Sequence, residues 1–103
     1  MTTPMVVTIP HRLGRTEAHR RLEEGLGKVH SQLAAYTSSI EQSWTGDRLD
    51  FRVVAMAQTV TGRIDVMEDS VRVEVDLPWM LAMLAKRLEG RIEKTGAKLL
   101  TKG

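Results

Sequence analysis

Between Ile40 and Leu77 the chain alternates apolar and polar residues. One phase carries Ile40, Gln42 and Trp44, then Leu49, Phe51, Val53 and Ala55. It continues with Val60, Gly62, Ile64 and Val66, and ends with Val71, Val73, Val75 and Leu77. The other phase carries Asp50, Arg52, Thr59, Thr61, Arg63, Asp65, Arg72, Glu74 and Asp76. Alternation sustained this far predicts an antiparallel meander with one buried face and one wet face. A two-residue loop at Gly46-Asp47 sets Trp44 opposite Leu49, Gln42 opposite Phe51 and Ile40 opposite Val53. Glycine first in that loop suits a type II′ turn, because it takes positive φ cheaply. Counting around Glu68-Asp69 sets Val66 against Val71 and Ile64 against Val73 on one face, with Arg63 against Glu74 and Asp65 against Arg72 on the other. A one-residue slip would bury those charges. The connection near Ala57-Gln58 has no Gly, Asn or Pro and reads as a bulge or wider loop.

Residues 5–9 are a β-branched run closed by Pro10, which predicts an edge strand. A helix follows, with Thr16 as a candidate N-cap, running to about Ala35. Its stripe is Ala18, Leu22, Gly25 or Leu26, Val29 and Leu33. Gly25 reads as the point where helix and sheet approach closely, with a helix break as the alternative. Residues 36–39 form the loop into the meander. Pro78 suits the first turn of a second helix, with Leu81, Leu84, Ala85, Leu88 and Ile92 as its buried stripe and Gly96 as its C-terminal cap. Trp79, Ala82 and Met83 project oppositely, with Met80 on the flank, so its first two turns are apolar nearly all round. Residues 97–103 carry Leu99 and Leu100 and are placed to cover part of that patch. The outcome is a single α+β domain over residues 1–103. It has two layers: an antiparallel sheet of four or five strands with two helices on one face, in β-α-β-β-β-β-α order. The outer sheet face stays wet apart from Val54 and Met56.

Composition narrows the classes. The 103 residues are 27% charged and 42% hydrophobic with a formal net charge of +2, ordinary for a globular domain and not for a dedicated nucleic-acid binder. Without cysteine, disulfides and thiolate metal sites are excluded. No apolar run reaches a membrane span, and the N-terminus has no signal-peptide pattern, which leads to the expectation of a cytoplasmic protein. His11, His19 and His30 lack the spacing of a metal pair; they read as surface or cap residues, with His11 at the strand–helix corner in a structural hydrogen-bonding role. Asp47 and Asp69 fall in turns, and Asp65 and Glu74 are matched to arginines, so no carboxylate pair reads as a general acid and base. The serines have no nucleophile-elbow context, and GLGK at 25–28 lacks P-loop spacing. No catalytic, cofactor or metal site is expected, and the chain reads as a non-enzyme.

Two surface features suggest partners. The first is apolar: Trp79, Met80 and Met83, with Val54 and Met56 separately on the sheet. Homodimerisation or an amorphous hydrophobic polymer surface would cover it; burial beneath the C-terminal tail or first strand is the structural alternative. The second is basic: Arg12, Arg15, Arg20 and Arg21 at the start of the first helix. The element order resembles ribosome-hibernation factors and double-stranded-RNA-binding folds, which raises a ribosome- or RNA-binding accessory role. Glu17, Glu23 and Glu24 interleave with these arginines, however, and the pattern favours an ordinary solvated face. A third option is a small acyl or lipid binder of helix-grip type, against which stands a core short enough to be filled by its own side chains.

The segments VVTIPHRLGRTEAHRRL, WTGDRLDFRV and TGRIDVMEDSVRVEVDLPWMLAMLAKRLEGRI resemble the polyhydroxyalkanoic acid system family of granule-region proteins. The resemblance spans nearly the whole chain and is most specific at the IPHRLG corner, the WTGDRL hairpin and the LPW strand–helix junction. Met80 and Met83 stand where leucines are expected. The resemblance implies a bacterial cytoplasmic accessory of storage-polyester granules that binds itself, granule proteins or the polyester surface. It brings no catalytic residues.

Overall fold

The computed structural model describes residues 2–35, 39–55 and 57–100. The chain runs β1 (Thr2–Pro10), α1 (Gly14–Leu33), β2 (Ser39–Thr45), β3 (Arg48–Ala55), β4 (Gln58–Val66) and β5 (Ser70–Pro78). A 3₁₀ segment, Trp79–Leu84, then leads into α2 (Ala85–Leu100). The strands form one antiparallel sheet in the order β1-β5-β4-β3-β2. This is the expected two-layer α+β architecture, with five strands.

The expected register holds at both marked turns. Trp44 faces Leu49, Gln42 faces Phe51 and Ile40 faces Val53. Gly46 takes φ 61°, while Asp47 is not among the positive-φ residues, as a type II′ turn requires. Across β4 and β5, Val66 faces Val71, Ile64 faces Val73, Arg63 faces Glu74 and Asp65 faces Arg72. The third connection is tighter than expected. Ala55 pairs with Gln58, leaving two residues between, and Ala57 sits at φ 64°. The register is the one alternation requires, with Val53 paired to Val60 and Phe51 to Gly62. Alanine, with the smallest side chain after glycine, carries the left-handed conformation there at a cost of about 1–2 kcal/mol.

β1 is an edge strand, as expected, paired with β5 from Thr2↔Pro78 to Pro10↔Ser70. Pro4 and Pro10 have no N–H, and both sit at positions whose nitrogens face away from β5. Between the prolines the free edge therefore keeps donors only at Val6 and Thr8, which blunts it against pairing with another chain.

The corner into α1 differs from the Thr16 cap expected. Leu13 precedes the first helical residue without a side-chain cap, and Gly14 turns the chain at φ 79°. His11 organises this corner: it is only 8% exposed, and its backbone N–H donates to the Asp69 carbonyl at 2.9 Å. Its Nδ1 accepts from the Leu13 N–H at 3.2 Å, which leaves Nε2 to donate to the Met67 carbonyl at 3.0 Å. Helix α1 ends at Leu33, two residues before the predicted end.

The core lies between the helices and the alternating residues of the sheet. Met5, Val7, Ile9, Leu49, Ile64, Val66, Val71, Val73, Val75 and Leu77 meet Ala18 and Leu22 of α1 and Leu100 of α2. The side chains of Val29 and Leu33 lie outside the described set. Gly25 is buried, but it admits Leu99 of α2 rather than the sheet. Gly96 is not a cap; it lies inside α2, where the Ile9 side chain fills the place of its missing Cβ. Leu99 and Leu100 are thus used in helix packing and the core, and do not cover Trp79 or its neighbours. His19 clips α1 to the β2–β3 hairpin, stacked on Trp44 with ring centroids 4.0 Å apart and Nδ1 2.9 Å from Asp47 Oδ1.

The outer sheet face carries an ion network. Glu74 binds Arg63 and, at 2.9 Å, Arg72; Arg63 also lies 3.6 Å from Asp76. Asp65 faces Arg72 in the ladder but bonds Arg48 on its other side, at 2.7 Å, a pairing the two-strand count did not anticipate. Val54 is half-buried there, Met56 lies outside the described residues, and Val6 adds an exposed apolar side chain not expected. The hydrogen bond from Arg63 holds the Glu74 carboxyl below the usual glutamate range. A carboxyl depressed in the folded state stabilises above its unfolded pKa, and that contribution disappears as pH falls through the folded value. Acid titration of unfolding should therefore show Glu74→Gln less stable than the parent at pH 7 and equal to it at the acid end. A constant difference at all pH values would place the effect elsewhere.

Candidate interaction site

The apolar side chains expected on the second helix begin where β5 ends. Pro78, at φ −57° and ψ 148°, is still extended and precedes the helical residues rather than opening them. The next six residues, WMLAML, wind as 3₁₀ before the α-helix starts. A 3₁₀ turn advances about 120° per residue against about 100° in an α-helix. This sets Met80 and Met83 on one line; Leu84, expected in the buried stripe, is exposed instead. Leu81, Ala85, Leu88 and Ile92 pack against the core as expected. Trp79 is 69% exposed, Met80 46%, Met83 87% and Leu84 39%. Four large apolar side chains on six residues make an apolar tip beside the start of β1 and the end of β5. Val54, on the outer sheet face, is not part of it.

The basic cluster on α1 is largely neutralised. Arg15 lies 3.7 Å from Asp47, Arg20 bonds Glu17 and Glu24, and Arg21 lies 3.6 Å from Glu17. Arg20's hydrogen bond lowers the Glu17 carboxyl and raises the guanidinium itself. Arg12 is exposed at the corner.

A second basic row was missed by a sequence reading that followed only the apolar stripe of α2. Arg87, Arg91, Lys94 and Lys98 are spaced as one helical face, a signal present in the bare sequence. All four are exposed, and among the described residues none makes an ion pair. They surround an open hollow of about 620 Å³ with Gly90 and Thr95. A second hollow, about 420 Å³, runs between β1 (Thr8, Ile9, Pro10) and α2 (Gly90, Glu93, Lys94, Ala97). Both are open to solvent, the second reaching the core only at Ile9. Among the described residues no group of three or more His, Asp or Glu gathers as a metal site, and no helix is long and apolar enough to cross a membrane.

These features define a two-layer α+β domain with an apolar tip and a basic helix face. The fold is shared with the di-domain ARO/CYC BexL from the BE-7585A biosynthetic pathway. That match has a TM-score of 0.55 and 10% identity, covering 99% of this chain and 51% of that one. This chain thus spans about half the length of that protein, and at such identity the likeness concerns the fold alone. Ara h 8.0201 aligns at TM-score 0.43 with 11% identity, over 99% of this chain and 100% of that one, too distant to bear on the argument. No curated protein matches the chain. Residues 5–100 match the family described as "Putative polyhydroxyalkanoic acid system protein", and the chain belongs to that family.

Proposed function

We propose that this protein is a non-catalytic accessory of the polyhydroxyalkanoate storage system, acting in the cytoplasm at the granule surface. It docks through Trp79, Met80 and Met83, joined by Leu84. The observation that carries this reading is the exposure of these side chains on one short segment. The family membership supplies the setting. Exposing a tryptophan and two methionines to water is unfavourable unless a partner covers them, at about 25 cal/mol per Å² of apolar area. Thioether and indole side chains adapt well to an irregular apolar partner.

The alternatives have weaker support. An acyl-binding cavity between helices and sheet would need room where Leu99 meets Gly25, Ile9 meets Gly96 and Phe51 meets Gly62. Each of those places is filled by a side chain, and at Gly62 an added carbon would also strike the Glu74 carbonyl oxygen. An RNA contact through α1 would have to displace Glu17 and Glu24 from Arg20 and Asp47 from Arg15.

The test is Trp79→Asp combined with Met83→Asp in the full chain. Both positions are exposed, so the fold should hold by circular dichroism. Co-sedimentation with isolated polyester granules should fall at least about tenfold, the effect of about 1.4 kcal/mol. Light scattering of granule-free protein separates self-association: a parent dimer becoming monomeric would identify a second copy as the partner. Unchanged granule association and unchanged mass would remove the tip as an interface.

A further inference from the structure

We propose that the outward face of α2, formed by Arg87, Arg91, Lys94 and Lys98, is a docking site for an anionic phospholipid layer. The apolar tip enters the layer beside it. This deepens the reading of the tip as the docking element and rests on it.

Positive charge is concentrated on α2. Helix α2 holds five basic residues and two acidic ones, a net +3 in a chain whose total is +2. The arginines that begin α1 are answered by carboxylates within 4 Å, whereas the α2 row has no such partner among the described residues. The row spans about 16 Å of helix at 1.5 Å per residue, on a different face from Leu88, Ile92 and Gly96. The helix therefore lies on the sheet by its apolar side and leaves the row's four cations exposed, with Lys94 also bordering the hollow against β1. Gly90, whose missing Cβ would meet nothing within 4 Å, leaves the hollow between Arg87, Arg91 and Lys94 open.

The tip decides which anion fits. The row begins three residues after Leu84, so exposed Trp79, Met80, Met83 and Leu84 continue directly into it on the same stretch of chain. Cations at one level with a tryptophan and aliphatic side chains at the end match an interface with charged headgroups over an apolar interior. A polynucleotide would meet the phosphate requirement, but it would leave two methionines and a leucine without an apolar layer; sequence-independent strands are held by stacked aromatic rings, and Trp79 is the tip's only one.

The test uses the full chain and sedimentation with vesicles of neutral phosphatidylcholine, alone or mixed with anionic phosphatidylglycerol. Binding should require the anionic lipid and weaken as salt rises. Arg91→Gln with Lys94→Gln should lower affinity about 25-fold, at roughly fivefold per charge. Arg12→Gln with Arg20→Gln on α1 should change it less than about twofold. Glutamine keeps helix propensity, and all four positions are exposed, so folding is not at stake. Equal binding to neutral vesicles, an α2 variant that binds like the parent, or retention on a single-stranded RNA matrix without vesicle binding would each overturn the proposal. If the Trp79/Met83 variant loses granule association while the α2 variant keeps vesicle binding, the tip reading survives and this one fails.

Discussion

Gly62→Val should leave the domain substantially unfolded at temperatures where the parent is fully folded. Gly62 lies in β4 opposite Phe51, and the phenyl ring occupies the space a side chain would need. A Cβ built there falls onto the carbonyl oxygen of Glu74 and 2.9 Å from Phe51 Cε2. The ring could rotate, but the oxygen belongs to the central β5 backbone and cannot move without breaking the ladder. Overpacking of this kind costs about 1–3 kcal/mol for alanine, and the branched valine should reach the upper end or exceed it. For a domain of this size 3 kcal/mol lowers Tm by roughly 12–24 °C. Two comparisons isolate the cause. Gly96→Ala meets only the flexible end of Ile9 and should be close to neutral, while Gly27→Ala, in open space on α1, should stabilise by about 1 kcal/mol. Urea midpoints for the three variants would check the order; a Gly62 variant no less stable than the Gly96 variant would contradict the clash.

His11→Ala is the second large effect, because one ring secures two loops. Its loss strips the Leu13 N–H of an acceptor and the Met67 carbonyl of a donor, and leaves a void at a buried corner. Unsatisfied polar groups cost about 1–3 kcal/mol each when buried. Both partners here are partly buried, so a total of about 2–4 kcal/mol is expected, with an unchanged urea m-value. The β1–α1 corner and the β4–β5 turn should open together, since His11 also donates its backbone N–H to Asp69. Hydrogen exchange at Leu13 and at Val71 would accelerate in parallel. Acceleration at only one would mean that the ring holds that loop alone.

Much of this was legible before any coordinates. Period-two alternation fixes which side chains share a face. The Gly46-Asp47 and Glu68-Asp69 turns then set the pairing of four strands, because both ends of each ladder must satisfy the same parity. The structural role of His11 was legible from its place between strand and helix. A helix start too apolar to face the core on every side singled out Trp79, Met80 and Met83, but burial beneath the tail or first strand stayed open until the fold left them exposed.

Other features depend on elements distant in sequence. Local signals could not show that Gly25 meets Leu99, that Gly96 meets Ile9, or that Asp65 chooses Arg48 over Arg72, since each is a choice among neighbours brought together only by the fold. The 3₁₀ winding of Trp79–Leu84 and the exposure of Leu84 were likewise not legible in the residue pattern. The contrast between the two basic helices is only partly of this kind, since Glu17 and Glu24 reach Arg20 and Arg21 at helical spacing while Asp47 reaches Arg15 across the fold. Both rows of cations are visible in the chain, and alone the α1 row looks the stronger. Packing brings Asp47 of the β2–β3 hairpin to Arg15 and leaves the α2 row facing water. Periodicity is a property of consecutive residues, so the sequence alone determined which faces are apolar and how the strands pair. Close packing and long-range ion pairs depend on which residues become neighbours across the fold, so only the tertiary structure decided that Asp47 meets Arg15, that Asp65 meets Arg48 and which glycines admit a distant side chain.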